Sequence, residues 1–299
     1  MMKRRWLLAM IALSAPCGLM AACGARSSLW IETLDAPETE EPDPPDAGED
    51  TSPDVPQPPG CIDVGATYVY LLSNASGLYR FYPPTSELTL IGTLECPTGA
   101  TPWSMAVTRE GTAYAVFTDG QLFEVSTATA ACTATTFEPY QLGFLKFGMG
   151  YLSEEDGEET LFVAESNMDG PSMGLARLDT DLFELDLVGS FSPPIQRAEL
   201  TSAGDGRLFA YSPNAVASGS HIYEIDSTTA KVLADHPLDV GGPSVAYAFA
   251  LWGGEFYVFT SPDSATTVTK WDPVTETESF HTLIAPRIVG AGVSTCAPQ

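Results

Sequence analysis

A strand pair that recurs about every 40 to 50 residues is the feature that most limits what this chain can fold into. The first strand is an apolar, β-branched and aromatic run, 68–71, which recurs at 114–117, 161–164, 208–211 and 256–259. The second strand ends in a capping position at residues 82, 126, 179, 226 and 272, in steps of 44, 53, 47 and 46. Short strands at this period, separated by Gly, Asp, Pro and Ser, predict an all-β domain of the β-propeller type.

Further runs complete each repeat as a four-stranded blade. An outer strand follows the cap, as at 88–91 and 182–185, and an innermost strand precedes the first run, at 105–107, 147–150, 198–201 and 247–250. The first repeat lacks an innermost strand, whereas the C-terminus carries a spare one at 287–293. We therefore predict five four-stranded blades over residues 61–299, in a ring closed by pairing of the C-terminal strand with the first repeat.

The N-terminus has the order of a secretory signal. Lys3, Arg4 and Arg5 precede an apolar stretch at 6–20, which is shorter than the roughly 20 apolar residues of a membrane-spanning helix. The small residues Ala21 and Ala22 then lead to Cys23, in a sequence that resembles the lipobox of bacterial lipoproteins. The resemblance implies a signal peptide at 1–22 and a lipid anchor on Cys23. It would place the protein in the cell envelope, anchored to a bacterial membrane, with plain secretion as the alternative.

Residues 23–60 join this predicted anchor to the domain. From about residue 32 the segment alternates prolines with carboxylates and holds no basic residue. It has almost nothing to bury, so we predict a disordered acidic tether that extends by proline stiffness and charge repulsion.

The acidity of the chain argues against one class of partner. The formal net charge is −26 although only 17% of the residues are charged, because Lys and Arg are scarce. Nucleic acid requires a basic face, and no basic run is present, so it is not a predicted partner. The acidity is interpreted as a source of solubility and mutual repulsion at a cell surface.

Four cysteines lie in the predicted domain, namely Cys61, Cys96, Cys132 and Cys296. An even count in an exported chain predicts two disulfides, in any of three connectivities. Cys296 ends the innermost strand of the closing blade and Cys61 precedes the next strand, where other blades have a hairpin, so a bond between them would replace that hairpin. Cys96 and Cys132 pair by elimination, although their positions do not place them clearly at the same end.

The search for catalytic or metal-binding motifs finds only weak matches. Residues 170–174 match the G-x-S-x-G pattern, but they link two predicted strands, whereas a nucleophile elbow needs a following helix. Residues 290–292 lack the third glycine and the helix of a dinucleotide site. The acidic run at 154–159 lacks the spacing of a calcium loop and fits a solvated hairpin better. We predict no catalytic residue, metal or cofactor.

Basic and aromatic side chains recur at the starts of the predicted innermost strands, which face the central channel. They are Trp103, Lys146, Arg197, Tyr247 and Arg287. Arg supplies fork hydrogen bonds and aromatic rings supply stacking surfaces, so this set is the candidate binding site for an anionic or sugar-like ligand. The alternative is that the basic groups pair with nearby carboxylates such as Glu199.

Several segments together resemble a family of bacterial lipoproteins with propeller-like repeats. They are Met20-Ala21-Ala22-Cys23, the acidic spacer, Ser104-Met105-Ala106-Val107, Phe147-Gly148-Met149-Gly150, Trp252-Gly253-Gly254 and 289–296. The resemblance covers most of the mature chain and transfers no catalytic residue. It favours a membrane-anchored module that binds a protein, peptide or glycan through a propeller face. A propeller hydrolase or lyase and a structural envelope protein are the alternatives.

Overall fold

The computed structural model describes residues 68–166, 172–202, 204–213, 219–240 and 245–298. These residues all belong to the unit 53–299. The predicted signal peptide, Cys23, the tether and Cys61 lie outside the described residues and stay predictions. None of the helical turns in the described ranges is long and apolar enough to cross a membrane.

The described residues form strands joined by turns and loops, with two short 3-10 turns at Pro83–Thr85 and Gln141–Gly143. The strands in chain order are β1 (Val69–Ser73), β2 (Gly77–Tyr82), β3 (Glu87–Thr93), β4 (Pro102–Val107), β5 (Thr112–Phe117), β6 (Leu122–Ser126), β7 (Cys132–Ala134), β8 (Phe147–Ser153), β9 (Glu159–Glu165), β10 (Leu175–Asp179), β11 (Glu184–Gly189), β12 (Glu199–Ser202), β13 (Leu208–Pro213), β14 (Ser220–Ile225), β15 (Val232–Leu238), β16 (Ala246–Trp252), β17 (Glu255–Ser261), β18 (Thr266–Asp272), β19 (Thr277–Ile284) and β20 (Ile288–Val293).

These strands form five antiparallel four-stranded blades, which confirms the predicted five-bladed propeller. Blades 2 to 5 are consecutive quartets that begin with the innermost strands β4, β8, β12 and β16. Blade 1 has the order β20-β1-β2-β3, so the C-terminal strand is its innermost strand. Val69 of β1 pairs with Val293 of β20, and the pairing continues to Leu72 and Gly290. The ring is therefore closed as the spare C-terminal strand predicted.

The apolar side chains pack between blades, in one cluster at each of the five blade interfaces. Strands in the middle of a blade are covered on both faces, and β5 and β13 are accordingly apolar along most of their length. At the closing interface, the rings of Phe81 in blade 1 and Phe259 in blade 5 meet edge to face at 5.9 Å. Burial on both faces explains why these runs are continuous rather than alternating.

The polar caps of the second strands form a repeated turn. The Oδ1 atoms of Asp179, Asp226 and Asp272 each accept hydrogen bonds from the backbone N–H groups two and three residues ahead. The Thr228 hydroxyl also donates a 2.7 Å hydrogen bond to Asp226 Oδ1, and this bond, together with those from the backbone, favours the carboxylate and lowers the pKa of Asp226 to about 2. In blade 3 this turn occupies residues 180–183, so the outer strand begins at Glu184 and not at the predicted residue 182.

Glycines draw the innermost strands together around a narrow channel. A Cβ atom on Gly148 of β8 would lie 2.2 Å from the carbonyl oxygen of Ala198, beside β12. A Cβ on Gly290 of β20 would lie 2.9 Å from the backbone nitrogen of Met105 in β4. One cavity inside the ring, lined by residues of β4, β8, β12 and β20, has a volume of about 10 Å³. The glycines of 290–292 therefore serve close packing of strands.

One disulfide joins neighbouring blades. Cys96, which follows β3 of blade 1, is bonded to Cys132 in β7 of blade 2, with 5.2 Å between their Cα atoms. This confirms the pairing reached by elimination. Cys296 is also disulfide-bonded, and its predicted partner Cys61 lies outside the described residues.

Candidate functional site

The predicted site residues lie near one end of the ring, where the innermost strands begin. Trp103 is in β4 and Tyr247 in β16, while Lys146 lies one residue before β8 and Arg197 two residues before β12. Because innermost strands of a propeller run in the same direction around the channel, their starts share one end. We call this end the mouth.

Two cations cover aromatic rings at the mouth. Lys146 Nζ lies 4.3 Å from the ring centroid of Trp103. Arg197 Cζ lies 5.0 Å from the centroid of Tyr247, whose hydroxyl donates a 2.8 Å hydrogen bond to the carbonyl oxygen of Arg197. Both are cation–π contacts, which attract a cation to the negative face of the ring. They fix four of the five predicted side chains against one another in two pairs.

The mouth contains a cavity of about 90 Å³, which we call the mouth cavity. It is lined by Trp103, Arg197, Glu199, Val245, Ala246, Tyr247 and Val289. Four blades contribute to this lining. Lys146, at the start of blade 3, is not part of the lining but covers the Trp103 ring. The structure therefore brings Trp103, Lys146, Arg197 and Tyr247 together.

Arg287 is directed elsewhere. Its Nε donates a 2.5 Å hydrogen bond to the carbonyl oxygen of Asp263, in the loop between β17 and β18. Its neighbour Val289 lines the mouth cavity instead. The sequence correctly predicted that Arg287 precedes an innermost strand, but it did not predict the direction of the side chain.

Glu199 is the one acid among the residues that line the mouth cavity. Glu199 is 4% exposed, and Ser104 Oγ donates a 2.7 Å hydrogen bond to its Oε2. This bond joins β4 of blade 2 to β12 of blade 4, past Gly148 of blade 3, which has no side chain. Burial raises the pKa of Glu199 well above its usual range, because water no longer stabilises the charged form.

The basic groups of the mouth are not neutralised by Glu199. Within the described parts of the chain, the ion pairs are Arg109–Glu159, Arg207–Asp205, His221–Asp235 and Lys270–Glu255. None of these involves Lys146 or Arg197. Among the described residues, the predicted pairing of these basic side chains with carboxylates such as Glu199 is not seen.

Two donors of the mouth cavity are buried without a hydrogen-bond partner among the described residues. They are Arg197 Nε and Trp103 Nε1. Arg197 is 7% exposed and holds a left-handed backbone conformation, with φ +53°. Such a conformation is uncommon for a residue other than glycine, and it is retained only where the surroundings impose it. An unpaired buried donor is also costly, and an acceptor group bound in the cavity would relieve that cost.

The opposite end of the ring has an ion pair between Arg109 and Glu159, in which Arg109 Nε itself has no hydrogen-bond partner among the described residues. Arg109 Nε lies 3.6 Å from Glu159 Oε1, and the backbone N–H of Arg109 donates to Oε2 at 2.9 Å. Thr295 Oγ1 donates to the same carboxylate. Burial still raises the pKa of Glu159. This cluster connects three blades and has an obvious structural role.

The other motifs are accounted for by turns. The acidic run at 154–159 forms the β8–β9 hairpin, in which the N–H of Glu154 donates to the carbonyl oxygen of Glu158. In the described part of the G-x-S-x-G match, Ser172 Oγ accepts a 3.0 Å hydrogen bond from the N–H of Gly174, next to β10. Gly170 and Pro171 lie outside the described residues. No group of three or more His, Cys, Asp or Glu able to hold a metal occurs in the described ranges.

Comparison with known proteins gives likeness at the level of the fold. No protein-family model matches the sequence, and no curated protein matches it. A solved nidogen/laminin complex aligns with a TM-score of 0.49 and 12% identity, over 76% of this chain and 97% of that one. TolB from Acinetobacter baumannii gives 0.44 and 14%, over 73% and 52%. A luciferin-regenerating enzyme gives 0.44 and 14%, over 77% of each chain. All three TM-scores lie below 0.5, so these likenesses carry no argument about function or ligand.

Proposed function

We propose that this protein is an exported, lipid-anchored binding module and that its ligand binds at the mouth of the propeller. The anchor is the predicted lipid on Cys23, and the acidic tether holds the domain away from the membrane surface. The ligand is a protein, peptide or glycan that presents a group to the mouth cavity.

The observation that carries this proposal is the pair of buried, unpartnered donors in the mouth cavity. Buried donors without a hydrogen-bond partner among the described residues also occur at the opposite end, at Arg109 Nε and Trp252 Nε1, but there Arg109 forms an ion pair with Glu159. At the mouth, Arg197 and Trp103 instead keep buried N–H groups available beside aromatic surfaces. Concave sites with a few placed polar groups among aromatic side chains are typical of binding sites.

The composition of the mouth cavity favours binding over hydrolysis or elimination. Acid–base catalysis by a propeller would need several acidic, His or Asn side chains converging on one channel opening. Among the seven lining residues, Glu199 is the one titratable acid, and no His or Asn is present.

Peptide and glycan arrays test which face binds. The full mature chain would be compared with a Trp103→Ala, Arg197→Gln double variant and with Glu155→Gln. Glu155 is an exposed residue of the β8–β9 hairpin, at the opposite end, and serves as the control. We expect array signals that the double variant loses and the control keeps. Signals that survive in the double variant would place binding elsewhere and contradict the proposal.

Metabolic labelling with a clickable fatty acid tests the anchor separately. We expect the label on the mature protein and none on a Cys23→Ser variant. Release of unlabelled wild-type protein into the medium would show that the protein is secreted and not anchored. The array experiment does not depend on this result.

A further inference from the structure

The mouth cavity is rich in hydrogen-bond donors. Arg197 Nε and Trp103 Nε1 both lack partners among the described residues. Glu199 uses Oε2 to accept from Ser104, and its raised pKa keeps a proton on the carboxyl at pH values where an exposed glutamate has lost it. That proton makes Glu199 a third donor, through its other oxygen. A group bound among these three must therefore be an acceptor.

The charge at the mouth points to an anionic acceptor. The Arg197 guanidinium and the Lys146 ammonium carry positive charge, and neither forms an ion pair among the described residues. Arg197 is 7% exposed, so its charge is poorly screened by water. In a chain of net charge −26 this is a local excess of positive charge around a buried space. Charge-assisted hydrogen bonds from Arg and indole N–H groups to an anion are stronger than neutral ones.

The size of the mouth cavity and the chemistry of its lining narrow the class of anion further. The cavity of about 90 Å³ holds a group of about three water molecules, at roughly 30 Å³ each. Three donors suit the few lone-pair sites of a carboxylate, which carries one negative charge. A phosphate dianion would place a second negative charge beside the Glu199 carboxyl. The rings of Trp103 and Tyr247 and the side chain of Val289 offer apolar walls for a short carbon stem.

From this geometry we infer that the mouth cavity binds the carboxylate group of a small or chain-terminal ligand, between Arg197 and Trp103, with its carbon stem against Tyr247. The inference rests on the proposed function and adds the chemical class of the ligand group. A free short-chain acid and the C-terminus of a peptide present the same carboxylate, and the experiment separates these two sources.

Calorimetric titration of the full mature chain with matched acids and amides tests the inference. The probes are isobutyrate and isobutyramide, N-acetyl-Ala-Ala with a free or amidated C-terminus, and inorganic phosphate. We expect each acid to bind at least tenfold more tightly than its amide, since a hydrogen bond to a charged group contributes more than one to a neutral group. If the dipeptide acid binds more tightly than isobutyrate, the carboxylate comes from a peptide C-terminus. If isobutyrate binds more tightly, it comes from a free acid.

Equal binding of acid and amide, tighter binding of phosphate, or no binding of any acid would overturn the inference. The array experiment keeps this result separate from the proposed function. If array ligands need the mouth but bind equally well after amidation, the inference of a carboxylate ligand is wrong and the proposed binding module stands.

Three variants assign the effect to the cavity. Trp103→Phe keeps the ring beneath Lys146 and removes one N–H, so we expect about tenfold weaker binding of acids with little change for amides. Arg197→Gln should weaken acids by tenfold or more. The control is Arg207→Gln, because Arg207 also covers an aromatic ring, Phe209 at 5.4 Å, but lies outside the mouth cavity. Acid affinity that is unchanged in Trp103→Phe, with a wild-type melting temperature, would contradict the assigned position.

Discussion

Replacement of Glu199 by Gln should make the wild-type and variant proteins diverge in stability as the pH rises. Glutamine keeps the size of the side chain and can still accept the hydrogen bond from Ser104, but it does not titrate. In the wild type, burial raises the pKa of Glu199 in the folded state. Above the pKa of an exposed glutamate, about 4.3, the unfolded chain releases this proton while the folded chain keeps it. The folded state then binds more protons, so its stability falls as the pH rises.

The magnitude follows from linkage. Between pH 4.3 and the raised folded pKa, the free energy of unfolding of the wild type should fall relative to Glu199→Gln by about 1.4 kcal/mol per pH unit. For a domain of this size, 1 kcal/mol shifts the melting temperature by about 2 to 4 °C. The gap between the two proteins should therefore grow by about 3 to 6 °C per pH unit in favour of the variant, and become constant above the folded pKa.

Urea unfolding and thermal melts of both proteins between pH 4.5 and 7.5 would measure this gap. Effects of the overall negative charge are nearly common to both proteins and cancel in the difference. Glu155→Gln, at an exposed position of the β8–β9 hairpin, should show no growing gap. A difference between wild type and Glu199→Gln that stays constant across the range would refute the assignment of Glu199 as a buried acid that keeps its proton.

Three further predictions concern the ring itself, each measured by urea unfolding. Gly148→Ala should destabilise the protein by about 2 to 3 kcal/mol, since its Cβ would lie 2.2 Å from a carbonyl oxygen, whereas Gly99→Ala, with no atom within 4 Å, should be nearly neutral. The double variant Cys96→Ser, Cys132→Ser should lose about 4 kcal/mol, the chain-entropy value for a separation of 36 residues, and a loss under 1 kcal/mol would contradict that account. Arg109→Met should cost about 3 kcal/mol because it leaves a buried carboxylate unpaired, and neutralising that carboxylate in the same variant should recover part of the loss.

The fold was predictable because its main determinant is local and repeated. Each repeat contains runs long enough to be strands and turn residues that separate them, and the period fixes the blade size. The missing first innermost strand and the spare C-terminal one then left one way to close the ring, which β20 follows. The error at residues 182–183 arose because apolar residues there resemble a strand, while Asp179 imposes a turn.

The site was predictable only in part. The position of a residue at the start of an innermost strand places it at the mouth, and four of the predicted side chains do meet there. Sequence order does not determine which side chains reach across the channel. The bond between Ser104 and Glu199 joins strands 95 positions apart in non-adjacent blades, so no local pattern reveals it. The direction of Arg287 depends in the same way on a loop carbonyl at Asp263.

The contrast between the two ends of the ring is the strongest reason to place function at the mouth. Both ends bury a basic side chain and a glutamate near the channel. At the end that holds Arg109 and Glu159, the two charges pair and the carboxylate accepts further hydrogen bonds. At the mouth, Arg197 and Glu199 are buried and neither forms an ion pair among the described residues. Arg197 has a left-handed backbone and lines one cavity together with Trp103, whose indole N–H has no hydrogen-bond partner there. A buried charge without an ion partner is unfavourable for folding alone, so such a group beside a cavity is expected where a ligand supplies the partner.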